Sequence, residues 1–164
     1  MPEVIKESMD SSKTQALVAE KKLEESIQEY EDILDNDSNL SEDEKNKIQN
    51  ALFSSTNKLV ETRENRKSIL TDIENQISSG ETDLSQQEKI RELIKKEDLE
   101  YATELRENRM EFEKMITEEG GVGNQVLASS NNYLEQKAKA EFLAKDIEEL
   151  SKKLEEENDF LVKP

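Results

Sequence analysis

Residues 133–154 read YLEQKAKAEFLAKDIEELSKKL. Tyr133, Ala140, Leu143, Ile147, Leu150 and Leu154 recur here at helical spacing, and the last four stand 4, 3 and 4 residues apart. Apolar side chains at alternating three- and four-residue steps share one face of a helix, and such a strip must bury against another helix. Glu148 and Lys152 stand in the favourable i,i+4 order, which supports the helix further. No polar residue interrupts Leu143, Ile147, Leu150 and Leu154. They form the cleanest seam in the chain and are the expected partner-binding seam, which makes this helix the expected main assembly element.

Three more segments carry weaker versions of the same pattern. The first uses Met9, Ala16, Leu23, Ile27, Tyr30 and Leu34. The second uses Ile48, Leu52, Leu59, Ile69 and Ile73, widened by Phe53, Val60, Leu70 and Ile77. The third uses Ile94, Tyr101, Leu105, Phe112 and Met115, flanked by Ala102 and Ile116. Polar residues break these seams: Lys13 and Glu20 in the first, Ser55, Thr62 and Arg66 in the second, Asp98 and Asn108 in the third. Polar seam positions set register at some cost in stability, or face a polar partner.

Glycine and Asx-rich punctuation separates the segments at 35–41, 78–83 and 120–124. Leu40-Ser41-Glu42-Asp43-Glu44-Lys45 and Leu84-Ser85-Gln86-Gln87-Glu88-Lys89 share a capping-box start, with Ser at the N-cap and Glu three residues on. The spacing predicts helices over about 3–35, 42–79, 85–119 and 125–158, each roughly 50–57 Å long at ~1.5 Å per residue. The expected fold is all-α: one elongated domain over 1–164 with a hinge at 120–124. Its four amphipathic helices form either coiled-coil hairpins or an elongated four-helix bundle.

Composition agrees with a narrow seam. Hydrophobic residues make up 32% and charged residues 38% of the 164 residues, against about 45–50% and 25% in an ordinary globular domain. The net charge of −17 repels phosphate backbones and anionic lipid, so no nucleic-acid partner is expected. Of the four segments, only 41–80 is nearly balanced, with 6 basic and 7 acidic residues. Its Lys58, Arg63, Arg66 and Lys67, and Arg91, Lys95 and Lys96 of the third segment, are expected to pair across helices with the acidic first and third segments. Met1–Asp10 carries four charged residues where a secretory signal would be apolar. No run approaches the ~18 apolar residues of a membrane span. The expectation is an intracellular, cytoplasmic protein, with the nucleus left open, and no membrane insertion.

Neither histidine nor cysteine is present, which removes the usual zinc sites and histidine-based triads. Gly120-Gly121-Val122-Gly123-Asn124 lacks the Lys-Ser/Thr pair of a phosphate loop and follows a helix instead of a strand. Asp35-Asn36-Asp37-Ser38-Asn39 begins like a calcium loop, but Leu40 stands at the glycine position and Asn46 where the bidentate glutamate belongs. An Asx-rich turn is expected there. No catalytic residue, metal, cofactor or small-molecule substrate is expected. The leading expectation is a non-enzymatic scaffolding coiled-coil subunit that assembles with itself or other coiled-coil proteins. The alternative is an acidic chaperone or inhibitor that covers a basic surface of a client.

Overall fold

The computed structural model describes the backbone of residues 2–78, 84–117 and 130–162, and the side chains of 11–78, 86–117 and 132–156. These residues form four helices: α1 (Pro2–Asn36), α2 (Glu42–Ser78), α3 (Leu84–Thr117) and α4 (Ser130–Val162). They pack as an all-α four-helix bundle, so the choice between separate hairpins and a bundle falls to the bundle. The helix bounds lie close to the expected ones except at α4, which runs to Val162 rather than 158. No proline or glycine stands between 159 and 162 to stop it. The expected hinge at 120–124 lies outside the described residues.

The α1–α2 turn is built as its sequence requires. The Asn39 N–H donates to Asp37 Oδ1 at 2.9 Å, an Asx turn. Ser41 then caps α2: its Oγ accepts the Glu44 N–H at 3.1 Å and donates to Glu44 Oε1 at 3.1 Å. Glu42, Asp43 and Glu44 place negative charge on the first turn, where the helix dipole favours it. The matching start at Ser85 differs, because α3 already begins at Leu84; the Ser85 side chain is outside the described ones.

Around the bundle the helices follow the order α1, α3, α2, α4. α1 runs along α3, and α2 runs along both α3 and α4. α1 and α2, although joined by a short turn, stand nearly diagonal and touch little. Paired residues give the directions. Lys13 meets Glu155 and Glu31 meets Lys137, so α1 and α4 are antiparallel. Lys67 meets Asp146 and Glu74 meets Lys153, so α2 and α4 are parallel.

The core divides in two. One cluster holds Ala16, Leu23 and Ile27 of α1, Leu52 and Leu59 of α2, Tyr101, Leu105 and Phe112 of α3, and Ala140 and Leu143 of α4. Tyr30 and Phe112 meet there edge to face, their ring centroids 5.5 Å apart. The second cluster holds Leu70, Ile73, Ile90, Ile94, Ile147 and Leu154, with Leu150 partly buried against it. Its described members come from α2, α3 and α4. The seam of α2 passes through Leu70 rather than Ile69, which is only half-buried.

Burial reverses one expected ranking. Leu105 and Phe112 of the weaker-looking third seam are 0% and 1% exposed, whereas Leu150 of α4 is half-buried. The cost of truncation tracks buried volume and the cavity left behind. The Leu105→Ala/Phe112→Ala double variant should therefore lose more stability than Ile147→Ala/Leu150→Ala. Each change in the first pair costs about 2–5 kcal/mol. Urea unfolding of both double variants checks the order.

Candidate functional site: a buried polar layer across the bundle

The polar interruptions of the seams meet one another inside the bundle. Ser55 Oγ of α2 donates to Asn108 Oδ1 of α3 at 2.7 Å, and Asn108 Nδ2 donates to the Ser55 carbonyl at 3.1 Å. Each satisfies the other, which offsets the cost of burying an amide and a hydroxyl. About two to three turns along α2, Arg63 and Arg66 enter the core between the two apolar clusters.

Arg63 is 2% exposed and reaches all three other helices. Its Nε donates to the Tyr101 hydroxyl of α3 at 3.3 Å, and its Nη1 donates to the Ala140 carbonyl of α4 at 2.9 Å. Its Nη2 donates to Glu24 Oε1 of α1 at 2.9 Å and lies 3.3 Å from Glu20 Oε2. The Tyr101 hydroxyl in turn donates to Glu20. Buried Ala140 has no long side chain to hold the guanidinium off its carbonyl. Arg66 binds α3 alone: Nη2 donates to Asp98 Oδ1 at 3.0 Å, and Nη1 lies 3.5 Å from Glu97 Oε1. Its guanidinium stacks 4.3 Å from the Tyr101 ring centroid, a cation–π contact.

The expected pairing of the second segment's cations with the acidic first and third segments is thus present at Arg63 and Arg66, while Lys67 turns to Asp146 of α4. Of the seam-breaking residues, Ser55 meets Asn108, Arg66 meets Asp98, and Glu20 meets Tyr101 and Arg63. Lys13 instead pairs with Glu155. The seam Leu143, Ile147, Leu150 and Leu154 lies within the chain's own core, Leu143 in the first cluster and the other three in the second. Sequence reasoning missed Arg63 as a core residue and Glu97 as a buried acid. A signal existed for Arg63: Leu52, Thr56, Leu59, Arg63, Arg66, Leu70, Ile73 and Ile77 step alternately by 4 and 3. Counting Ile69 instead of Leu70 into the seam broke that progression.

The surroundings shift the titrating groups in a consistent sense. Burial raises Glu97 to about 7; Arg66 opposes this, and Glu100 and Glu104 add to it. Burial likewise raises Asp98, with Arg66 and Lys13 pulling the other way. Burial alone would lower Arg63, but Tyr101, Glu20 and Glu24 hold it above its ordinary value. Burial raises Tyr101, against the pull of Arg63. Among the described residues no group of three or more acidic side chains is placed to hold a metal ion. Chemically, the layer keeps two guanidinium ions dry, Arg63 with all three nitrogens hydrogen-bonded and Arg66 hydrogen-bonded through Nη2 alone, and holds one carboxyl whose pKa is raised to about 7.

Two outcomes follow. Asp98→Ala leaves Arg66 buried with its closest carboxylate gone and should cost about 3–5 kcal/mol, whereas Arg66→Met/Asp98→Leu, which removes both charges, should recover most of that. Urea midpoints of the three proteins check it. For pH, the folded Glu97 pKa lies above its unfolded value, so the native state holds the proton more tightly. The stabilisation is full below about 4.5 and is lost as pH rises through about 7. Glu97→Gln should therefore raise stability at pH 8 by about 2 kcal/mol and flatten the dependence between pH 5 and 8. Thermal melts across that range read both effects. No protein-family model, curated protein or solved structure matches this chain.

Proposed function

We propose that the protein is a non-enzymatic scaffolding subunit that acts through helix–helix contacts with other long-helix proteins or with itself. The observation that carries this reading is the polar layer. A bundle of apolar seams alone can slide by a heptad, whereas Arg63, tied to three other helices, has acceptors in one alignment only. A rod of fixed register is what a scaffold supplies: defined spacing between surfaces along about 50 Å of helix. The Leu143–Leu154 seam is already occupied by the chain's own helices. Partner contact therefore falls to apolar side chains left at the surface, among them Leu17, Leu134 and Phe142.

The rival reading, an acidic chaperone or inhibitor, has one observation in its favour. Glu104 of α3 is raised by partial burial and then by the crowding of Glu100, Glu107 and Glu61. That marks a surface where carboxylates repel and a basic client would relieve them.

Salt separates the two. Partners captured by the full chain from a lysate are identified, purified and reconstituted with it, and the complexes are followed from about 0.1 M to 1 M salt. Over that range the screening length falls from ~10 Å to ~3 Å. A scaffold complex held by apolar contacts should persist and contain long-helix proteins or further copies of this chain. A complex with a basic globular client that dissolves by mid-range would replace the scaffold reading with the rival one.

A further inference from the structure

Among the described residues the bundle has one weak wall. α1 and α4 share the first apolar cluster but scarcely approach through their backbones, and the pairs that span them are polar: Lys13 to Glu155 at one end, Tyr133 and Lys137 to Glu31 at the other. Between these bridges lies a groove of about 400 Å³. Its walls and floor include Leu17 of α1, Leu70 of α2, Ile94 of α3, and Ala144, Ile147 and Leu154 of α4. Leu17 stands 56% exposed at the rim, an apolar side chain without helix cover. The groove thus opens onto the second apolar cluster, the one to which the described part of α1 contributes nothing.

We infer that this α1–α4 groove docks an amphipathic helix from a partner protein, apolar on the inserted face and basic on its flanks. The inference rests on the scaffolding reading and names the surface and the partner chemistry for it. Three observations select that occupant. First, the groove follows α4 from Ala144 to Glu155, about 16 Å or three helical turns, the span over which a helix presents seam residues at i, i+3, i+4 and i+7. Second, Leu70, Ile94, Ile147 and Leu154 give the groove an aliphatic stripe beside the buried Arg66 and Asp98, and the exposed Glu148, Lys152 and Glu155 edge it, a layout that seats a helix with a narrow apolar stripe. Third, the lining charges Glu20, Asp98, Glu148 and Glu155 against Lys13, Arg66 and Lys152 sum to −1, on a chain of −17. A second copy of so acidic a chain is repelled, and a basic helix is drawn in.

The Lys13–Glu155 bridge is the gate of this surface. The two side chains are 37% and 51% exposed, so the pair is worth little in water and yields readily to a lysine on the incoming helix that takes Glu155. Insertion then covers Leu17 and turns a polar wall into a packed one.

The test uses the full chain and a synthetic helix of ~18 residues with leucine at its seam positions and lysine on its flanks. A peptide of identical composition in scrambled order is the control. Binding is measured by fluorescence anisotropy, and the site is mapped by amide chemical-shift changes. The seam peptide should saturate, shift residues 13–20 and 144–155, and outbind its scrambled form by at least about tenfold, or ~1.4 kcal/mol. Leu17→Lys/Ala144→Lys should weaken it by a similar factor. Gln49→Lys/Ser54→Lys, equally cationic but at exposed positions of α2 outside the groove, should not. Equal binding of the scrambled peptide, shifts confined to other faces, or equal loss with Gln49→Lys/Ser54→Lys overturns the groove. So does a light-scattering mass that falls in the groove variant alone, which would assign the surface to a second copy. A lysate complex that withstands salt yet survives Leu17→Lys/Ala144→Lys sinks this inference and leaves the scaffold reading standing.

Discussion

Arg63 is the constraint on which the rest of the bundle depends. A guanidinium 2% exposed has surrendered its water, and in a low-dielectric interior that loss is tolerable only if its donors are met and its charge is answered. No single neighbouring helix supplies enough. Tyr101, Ala140, Glu20 and Glu24 come from three different helices, so one side chain on α2 couples the positions of all the others. Sliding any helix by one turn, about 5.4 Å, would strip the guanidinium of an acceptor. The layer therefore contributes specificity of alignment more than net stability, since a well-packed apolar substitute is often as stable or more so.

The same layer explains why the core is divided. Apolar packing on the α1–α2 turn side draws on all four helices. On the other side the described contributors are α2, α3 and α4 only. α2 is the shared element, packed on both α3 and α4, while α1 leans on α3 and, beyond the first cluster, meets α4 through exposed polar pairs. Such a wall combines screened charges with few apolar contacts and is where local opening costs least. A groove beside it, lined by an aliphatic stripe next to the buried Arg66 and Asp98, follows from that imbalance and not from any deficit in the core as a whole.

Electrostatics runs through both features with different weight. The solvent-facing pairs, such as Lys96 with Glu100 and Lys152 with Glu148, are ordinary helix-surface contacts worth a few tenths of a kcal/mol each. Glu97 is another matter: a carboxyl 5% exposed, one residue from Asp98, shares the single Arg66 with it. Burial raises Glu97 to about 7, with Arg66 opposing the shift and Glu100 and Glu104 adding to it. The bundle thus carries within its core a group that responds to pH where surface carboxylates do not.

How much of this was legible follows from what each level depends on. Four amphipathic helices, the bounds of α1 and α2, the Asx turn at Asp37 and the Ser41 cap were readable because they rest on local rules: periodicity, capping residues and the absence of breakers. The polar breaks at Ser55, Arg66, Asp98 and Asn108 were readable too, as residues standing where apolar ones belong. Their partners were not, because pairing depends on which helix lies beside which. A sequence period names a face without naming its neighbour. The clean α4 seam looked like a surface for others and packs inside the chain. The interrupted α3 seam holds Leu105 and Phe112, 0% and 1% exposed, because α3 lies between α1 and α2. The sequence by itself determined the helices and their apolar stripes. Only the tertiary structure decided the order α1, α3, α2, α4, and with it the arginine clasp and the open wall, because these arise from the three-dimensional meeting of residues far apart in the chain, such as Lys67 and Asp146 or Lys13 and Glu155.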